Sequence, residues 1–403
     1  MTASSQLARV LALALPLRDV LEGRVDDAEV PAWCAVRGWD SFLLGLDAAA
    51  VRAGEAHGLA AILPELGAAP ASLLELARAV ADATRLPKLD GHTQLSQEGV
   101  RSVRLRKRAQ LSSLLGAVAP MAAAAERIVD VGAGSGHFTR LSAELFEREA
   151  LGLERSAERV AAARERASAT PRVSFVAVDA RDSLSFGASD LAIGLHACGE
   201  LGDKLTEAVG RSRCGLALVS CCLQKISGPA RSPLCKLAAA ACLRREHLGL
   251  ANLTAQPRGV EASIDVTIGA RQTRYALGQL LRARGVALAP GAEMNGINRR
   301  QAGAGLAVVA RRALALRGLP APTPAELAHH EAAGAARYAV VRRLSLPRSM
   351  LSRLVEVLVS LDRAVHLEER GLAVTVGTLF DPAVSPRNIG IFAAPSASQL
   401  PRA

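Results

Sequence analysis

The stretch that most limits how this chain can fold is Arg127-Ile-Val-Asp-Val-Gly-Ala-Gly-Ser-Gly-His-Phe-Thr-Arg140. Ile128, Val129 and Val131 form a short apolar run, the pattern of a strand covered on both faces, with Asp130 near its end. Gly132, Gly134 and Gly136 follow at every second position, with Ala133 between the first two. From Phe138 the apolar spacing turns helical through Leu141, Leu145 and Phe146. The order is strand, glycine turn, helix. Glycine permits a sharp bend and leaves no Cβ between backbone and ligand, so a nucleotide-like cofactor is expected here. A dinucleotide site usually reads G-x-G-x-x-G, with a pyrophosphate over the helix N-terminus. This one reads G-x-G-x-G and lies well inside the chain, which argues against a nicotinamide enzyme.

The following strands fit one sheet. Glu149 to Glu154 ends in a carboxylate twenty residues after Gly134. Glu154 is placed to accept from both hydroxyls of a ribose, although it could instead cap the helix expected over Ala157 to Ala167. Val173 to Val178 forms a third strand. Asp179 and Ala180 at its end suit an adenine, with Asp182 as rival. Asp190 to Gly199 and Leu216 to Leu223 are the fourth and fifth, linked by a helix over Leu201 to Val209. Strands alternating with short helices imply a parallel, doubly wound sheet. Ala373 to Phe380 and Ile389 to Ala394 flank the Pro-rich turn Asp381 to Asn388, and so tight a connection requires an antiparallel pair. The expected fold is α/β: a doubly wound, seven-strand Rossmann-like sheet with an antiparallel last strand. A helical N-terminal region over 1–95 precedes the main domain, 96–403, which carries a helical insertion at about 228–345 between strands five and six. Within that stretch, helices over Glu331 to Leu344 and Ser349 to Glu369 are separated at Pro347. Trp33 and Trp39 either plug a small helical core or grip a substrate.

The formal charge of +11 is carried by 44 Arg and only five Lys. It fits a nucleic-acid partner, though GC-rich coding gives the same composition. Arg101 to Arg108, with Lys107 inside it, is a basic run just before the glycine turn. A second arginine group lies between Arg271 and Arg312. No apolar run reaches the ~18 residues a membrane span needs. Seven cysteines without framework spacing suit a reducing cytoplasm.

D-V-G-A-G-S-G resembles motif I of class I S-adenosylmethionine (SAM) methyltransferases. G-L-H-A-C-G-E-L, V-S-C-C-L-Q-K-I and L-D-R-A-V-H-L-E-E-R-G…L-F-D-P-A-V-S-P-R-N resemble the family that includes the methyltransferase-like 25 and glutathione-S-transferase-C-terminal-domain-containing proteins. The resemblance covers roughly 100 to 395. It implies a SAM-binding fold with Asp130, Gly132, Ala133, Gly134, Gly136, Glu154, Asp179, Ala180 and His196 around the cofactor. Such proteins often carry K-K-x-H-E before motif I; here Arg106-Lys-Arg-Ala-Gln110 keeps the basic character without the His and Glu. A looser similarity, to a tRNA ribose methyltransferase family with H-L-C-G and a later C-C-H-H, points toward tRNA or rRNA.

Methyl transfer needs an aligned nucleophile and, for some acceptors, a base. The candidate catalytic residues are His196, Cys198, Glu200 and Cys222, at the ends of strands four and five. Lys107, Gln224, Lys225 and Arg387 are candidates for the substrate side. The cysteines there, with Cys221, allow three readings: small apolar packing, a thiolate attacking a pyrimidine, or a zinc site. Adjacent cysteines make poor zinc ligands, so no metal is expected. The expected function is methyl transfer from SAM to O or N of RNA. The alternatives are a small-molecule or protein acceptor, or a SAM-binding scaffold without turnover.

Overall fold

The computed structural model describes residues 2–96, 100–101, 103–255, 261–289 and 291–402. Its contacts divide the chain into two compact units. The first comprises Met1–Glu22, Arg78–Pro257 and Leu351–Ala403; the second comprises Gly23–Ala77 and Arg258–Met350.

The first unit is built on a seven-stranded sheet. Its strands are β1 Arg127–Val131, β2 Glu149–Glu154, β3 Val173–Ala177, β4 Asp190–Leu195, β5 Gly215–Val219, β6 Ala373–Thr378 and β7 Ile389–Ala394. Their order is β3-β2-β1-β4-β5-β7-β6. The pairs among β1 to β5 are all parallel, whereas β7 runs antiparallel to both β5 and β6. This is the Rossmann-like topology expected for class I SAM methyltransferases, with the antiparallel strand where the Pro-rich turn requires it. The principal helices of the unit are α1 Ala3–Ala14, α2 Leu105–Ala124, α3 His137–Phe146, α4 Ala157–Arg166 and α5 Glu200–Ser212. A last long helix, α9 Ser352–Glu368, leads into β6.

Side chains alternate across the sheet with the strand period of two. Ile128 joins Leu111, Leu114, Leu115, Phe138 and Leu141 on one face. Val129 and Val131 join Leu205, Val209, Leu216, Leu218 and Leu367 on the other. The apolar segment near the N-terminus is buried as a helix: Leu7, Val10 and Leu11 of α1 are covered, and α1 packs on α9. No described helix is long and apolar enough to cross a membrane.

The second unit is helical among its described residues. Its longer helices are α6 Glu261–Ala283, α7 Leu306–Ala315 and α8 Pro324–Met350. Leu277, Leu280, Leu281, Leu306, Val309 and Leu314 form its core. A Cβ on Gly334 of α8 would come within 2.8 Å of the Ala276 Cβ of α6, so glycine sets how closely those helices approach. Trp33 and Trp39 are both buried and meet edge to face with ring centroids 6.4 Å apart. Trp39 Nε1 donates to Ser72 Oγ at 2.9 Å, so the pair plugs a helical core, not a substrate cleft.

Two expectations are corrected. α8 continues through Pro347 to Met350 instead of breaking there. Pro347 forfeits one rung, its own N–H bond to the carbonyl four residues back, and the helix continues past that single loss. β5 ends at Val219, not Leu223, so Cys221 and Cys222 lie in the turn beyond the strand.

Candidate active site

The five parallel strands deliver their carboxyl ends to one edge, and the antiparallel β7 begins there, with Val219 paired to Gly390. The turn after β1 has three left-handed glycines: Gly132 at φ 79°, Gly134 at 59° and Gly136 at 73°. They serve two purposes. A Cβ on Gly132 or Gly134 would meet nothing nearer than 3.9 Å, so this face of the turn is open. A Cβ on Gly136 would lie 2.6 Å from the Phe175 ring, so the third glycine makes room for β3 packing.

Glu154, at the end of β2, reaches this turn. Its Oε2 accepts from Gly134 N–H at 3.0 Å, and its Oε1 accepts from Ser156 N–H at 3.1 Å. Arg159 stands 3.8 Å from the same carboxylate. An acid from the neighbouring strand therefore borders an open, side-chain-free bend. A ribose and a methionine chain fit that arrangement.

Asp130 lies beneath the turn. It is fully buried and accepts from Thr139 Oγ1 at 2.7 Å, tying α3 to β1. Burial pushes its carboxyl up to about 6, opposed by the Thr139 hydrogen bond and by Lys107. Lys107 in turn is lowered by burial and sustained by Asp130. Ala133 N–H donates to Leu153 O at 3.0 Å, fixing the turn against β2. Asp179 and Ala180 follow β3, and Ala180 is buried. Asp179 is held by Arg181, whose Nε donates to Oδ1 at 3.0 Å. Hydrogen bonds from Arg181 bring its carboxyl down to about 2, so it stays charged.

After β4, His196 takes a left-handed conformation at φ 70°, and its N–H donates to Val219 O at 2.7 Å. Its Nε2 lies 3.2 Å from Gln110 Oε1. Burial first, then Lys107 and Arg106, bring the imidazole down to about 4. The ring is therefore neutral near pH 7: it can accept a hydrogen bond but holds a proton weakly. Gln110 offers the ring a neutral amide, so the carboxylate that opposes Lys107 here is Asp130.

Cys198 and Cys221 are joined by a disulfide across the ends of β4 and β5. Cys222 keeps a free thiol, with its Sγ 3.6 Å from Cys221 Sγ. The three sulfurs lie within 4.8 Å of one another, but while Cys198 and Cys221 are bonded only the Cys222 thiol is able to ligate a metal. Glu200 Oε2 accepts from Ser227 N–H at 3.0 Å, and its own N–H donates to Lys225 O at 3.0 Å. Glu200 thereby stitches together the turns after β4 and β5. The Lys225 side chain is exposed. Gln224 leaves a buried Oε1 without a partner. Arg387 is buried, donates from Nη2 to Asn252 Oδ1 at 3.2 Å and lies 3.7 Å from Glu356; burial lowers its affinity for its proton.

The charges of the Leu361-Asp-Arg363 stretch have no role legible in sequence. Arg363 of α9 is fully buried. It donates from Nε to Asp203 Oδ1 at 2.9 Å, from Nη1 to Ser220 Oγ at 2.7 Å and from Nη2 to Gly199 O at 2.9 Å. Ser220 Oγ passes a bond to Ala197 O at 3.0 Å. Asp362 receives Arg231 Nη1 at 2.7 Å and the N–H groups of Leu234 and Cys235. One guanidinium thus holds both strand-end turns that carry the candidate chemistry. The available signal is two adjacent charges within Val357–Val365, a stretch of α9 that is otherwise uncharged and mostly apolar.

Residues 106–229 match a family model described as a methyltransferase domain. No curated protein matches the sequence. Among solved structures, the PH0226 protein from Pyrococcus horikoshii OT3 aligns at 20% identity and a TM-score of 0.26, covering 32% of this chain and 66% of that one. A Haemonchus contortus phosphoethanolamine N-methyltransferase aligns at 20% identity and 0.24, covering 30% and 27%. A geranyl diphosphate methyltransferase in complex with SAM aligns at 18% identity and 0.27, covering 54% and 92%. The chain spans less than two thirds of the length of the first two. The chain is thus similar to a methyltransferase domain over residues 106–229.

Proposed function

We propose that this protein transfers a methyl group from SAM to an oxygen or nitrogen of RNA, with tRNA or rRNA as the substrate class. We place it with the family whose motifs it resembles, acting in the cytoplasm, where Cys198 and Cys221 would be held as two thiols. The observation that carries the reading is the basic run at the start of α2. Arg101, Arg104, Arg106, Lys107 and Arg108 form no ion pair with a carboxylate among the described residues, and α2 has no acid in its first turn. Cations at a helix N-terminus add to the partial positive charge already there. Both arrangements are unfavourable for the free protein and suit a polyanion. The run is also near the site: Lys107 acts on Asp130, and Lys107 and Arg106 act on His196.

In this reading the open face of Gly132 and Gly134, with Glu154, holds the cofactor, and Asp179 and Ala180 border its adenine. The cofactor supplies a methyl group on a sulfonium, already a good leaving group. His196 accepts a hydrogen bond from the acceptor's O–H or N–H and turns a lone pair toward that methyl. Its weak basicity means that the released proton goes on to solvent. Cys222, Gln224, Lys225 and Arg387 face the acceptor.

The test is transfer of a tritiated methyl group from SAM into the separated RNA, protein and metabolite pools of the host. Label in RNA is expected. Label confined to protein or to small molecules would overturn the RNA reading, and SAM binding without label anywhere would favour a scaffold.

A further inference from the structure

The second unit contains a cavity of about 280 Å³ lined by Arg24, Arg271, Arg274, Arg282, Tyr275 and Tyr338, together with two acids, Asp26 and Glu293. Both acids are committed. Arg24 Nε pairs with Asp26 Oδ1 at 2.9 Å, and Arg274 Nε donates to Glu293 Oε1 at 2.9 Å. Asp27, near the rim, accepts from the Tyr275 hydroxyl at 3.1 Å and lies 3.6 Å from Arg337. Arg271 and Arg282 remain in no ion pair among the described residues. The cavity therefore carries two guanidinium groups in excess of its carboxylates. Beside them stand two tilted phenol rings with centroids 5.6 Å apart. Burial pushes the Tyr338 hydroxyl up to about 12, so it remains a neutral donor.

We infer that this cavity binds a small phosphate monoester with an aromatic group. Guanidinium forks match a phosphate dianion in geometry and charge. Tyrosine faces take a flat ring and add cation–π contacts with the neighbouring arginines. The volume is just below the range of small-molecule sites, which suits a ligand of one ring and one phosphate. The site lies wholly in the second unit and uses none of the residues placed around SAM. It therefore stands whether or not RNA is the methyl acceptor.

The test is calorimetric titration of the full-length protein with phenyl phosphate, phenol and inorganic phosphate. Phenyl phosphate is expected to bind at least about tenfold more tightly than either fragment, because charge and ring contribute together. R271Q/R282Q should lose about tenfold or more of that affinity while keeping wild-type SAM binding and wild-type helical circular dichroism, the second of which reports on the helical unit that carries the substitutions. Y338L should weaken phenyl phosphate but not inorganic phosphate. Equal binding of phenyl phosphate and phenol, or no saturable binding, would overturn the inference. So would an R271Q/R282Q protein that binds SAM and phenyl phosphate as wild type does.

Discussion

Glu154 joins the cofactor turn to the neighbouring strand through one carboxylate, with Gly134 N–H on one oxygen and Ser156 N–H on the other. E154Q keeps the shape but loses the charge and one acceptor. It should cost about tenfold or more in SAM affinity by calorimetry while leaving the circular dichroism unchanged. Asp130 and His196 provide a second test, because their perturbed ionisations oppose each other. Asp130 rises to about 6 from an ordinary 3.8. The folded state then binds more protons than the unfolded state between those values, and stability falls as pH rises through the window. His196 drops to about 4 from 6.5. There the unfolded state binds more protons, and stability rises with pH until about 6.5. In the wild type the two slopes partly cancel between pH 4 and 6. D130N should therefore show Tm climbing across that range and H196Q should show it falling. Parallel profiles for all three proteins would refute the burial of both groups.

At the scale of elements, the fold depends on spaces that only glycine leaves and on one buried charge network. A Cβ on Gly152 in β2 would lie 2.6 Å from Phe175 Cε1. G152A should cost about 1–3 kcal/mol in chemical denaturation, as overpacked cores do, and F175L should restore part of it. Arg363 is the centre of the buried charge network. R363M leaves Gly199 O and Ser220 Oγ without their donor and Asp203 with Arg231 alone. It should destabilise by about 3–5 kcal/mol. R363K should remain closer to wild type in stability than R363M, though it too cannot reach three acceptors at once. An R363M protein as stable as wild type would show that packing, not the guanidinium, holds the two turns.

At the scale of the molecule, the basic run and the glycine edge belong to the same unit. RNA affinity should accordingly fall steeply with salt. R101Q/R104Q/R106Q should flatten the slope of log K against log salt by about two, while SAM affinity is unchanged. A flat salt response in the wild type would remove the reason for proposing a polyanionic acceptor.

The sequence alone determined the strand, turn and helix around Gly132, the acid at Glu154, the parallel sense of the first five strands and the antiparallel closing strand. Each follows from local spacing: a period of two or of 3.6, a glycine where φ must be positive, a connection too short to cross over. Gly136 was legible as a glycine but not for its reason, since the Phe175 ring that excludes a Cβ comes from another strand. The Cys198–Cys221 link, the grip of Arg363 on Gly199 and Ser220, and the arginine cavity of the second unit were decided only by tertiary structure. Arg363 and Gly199 are 164 residues apart in sequence. No local pattern records which buried charge will meet which carbonyl, because that pairing is chosen only when packing removes both from water.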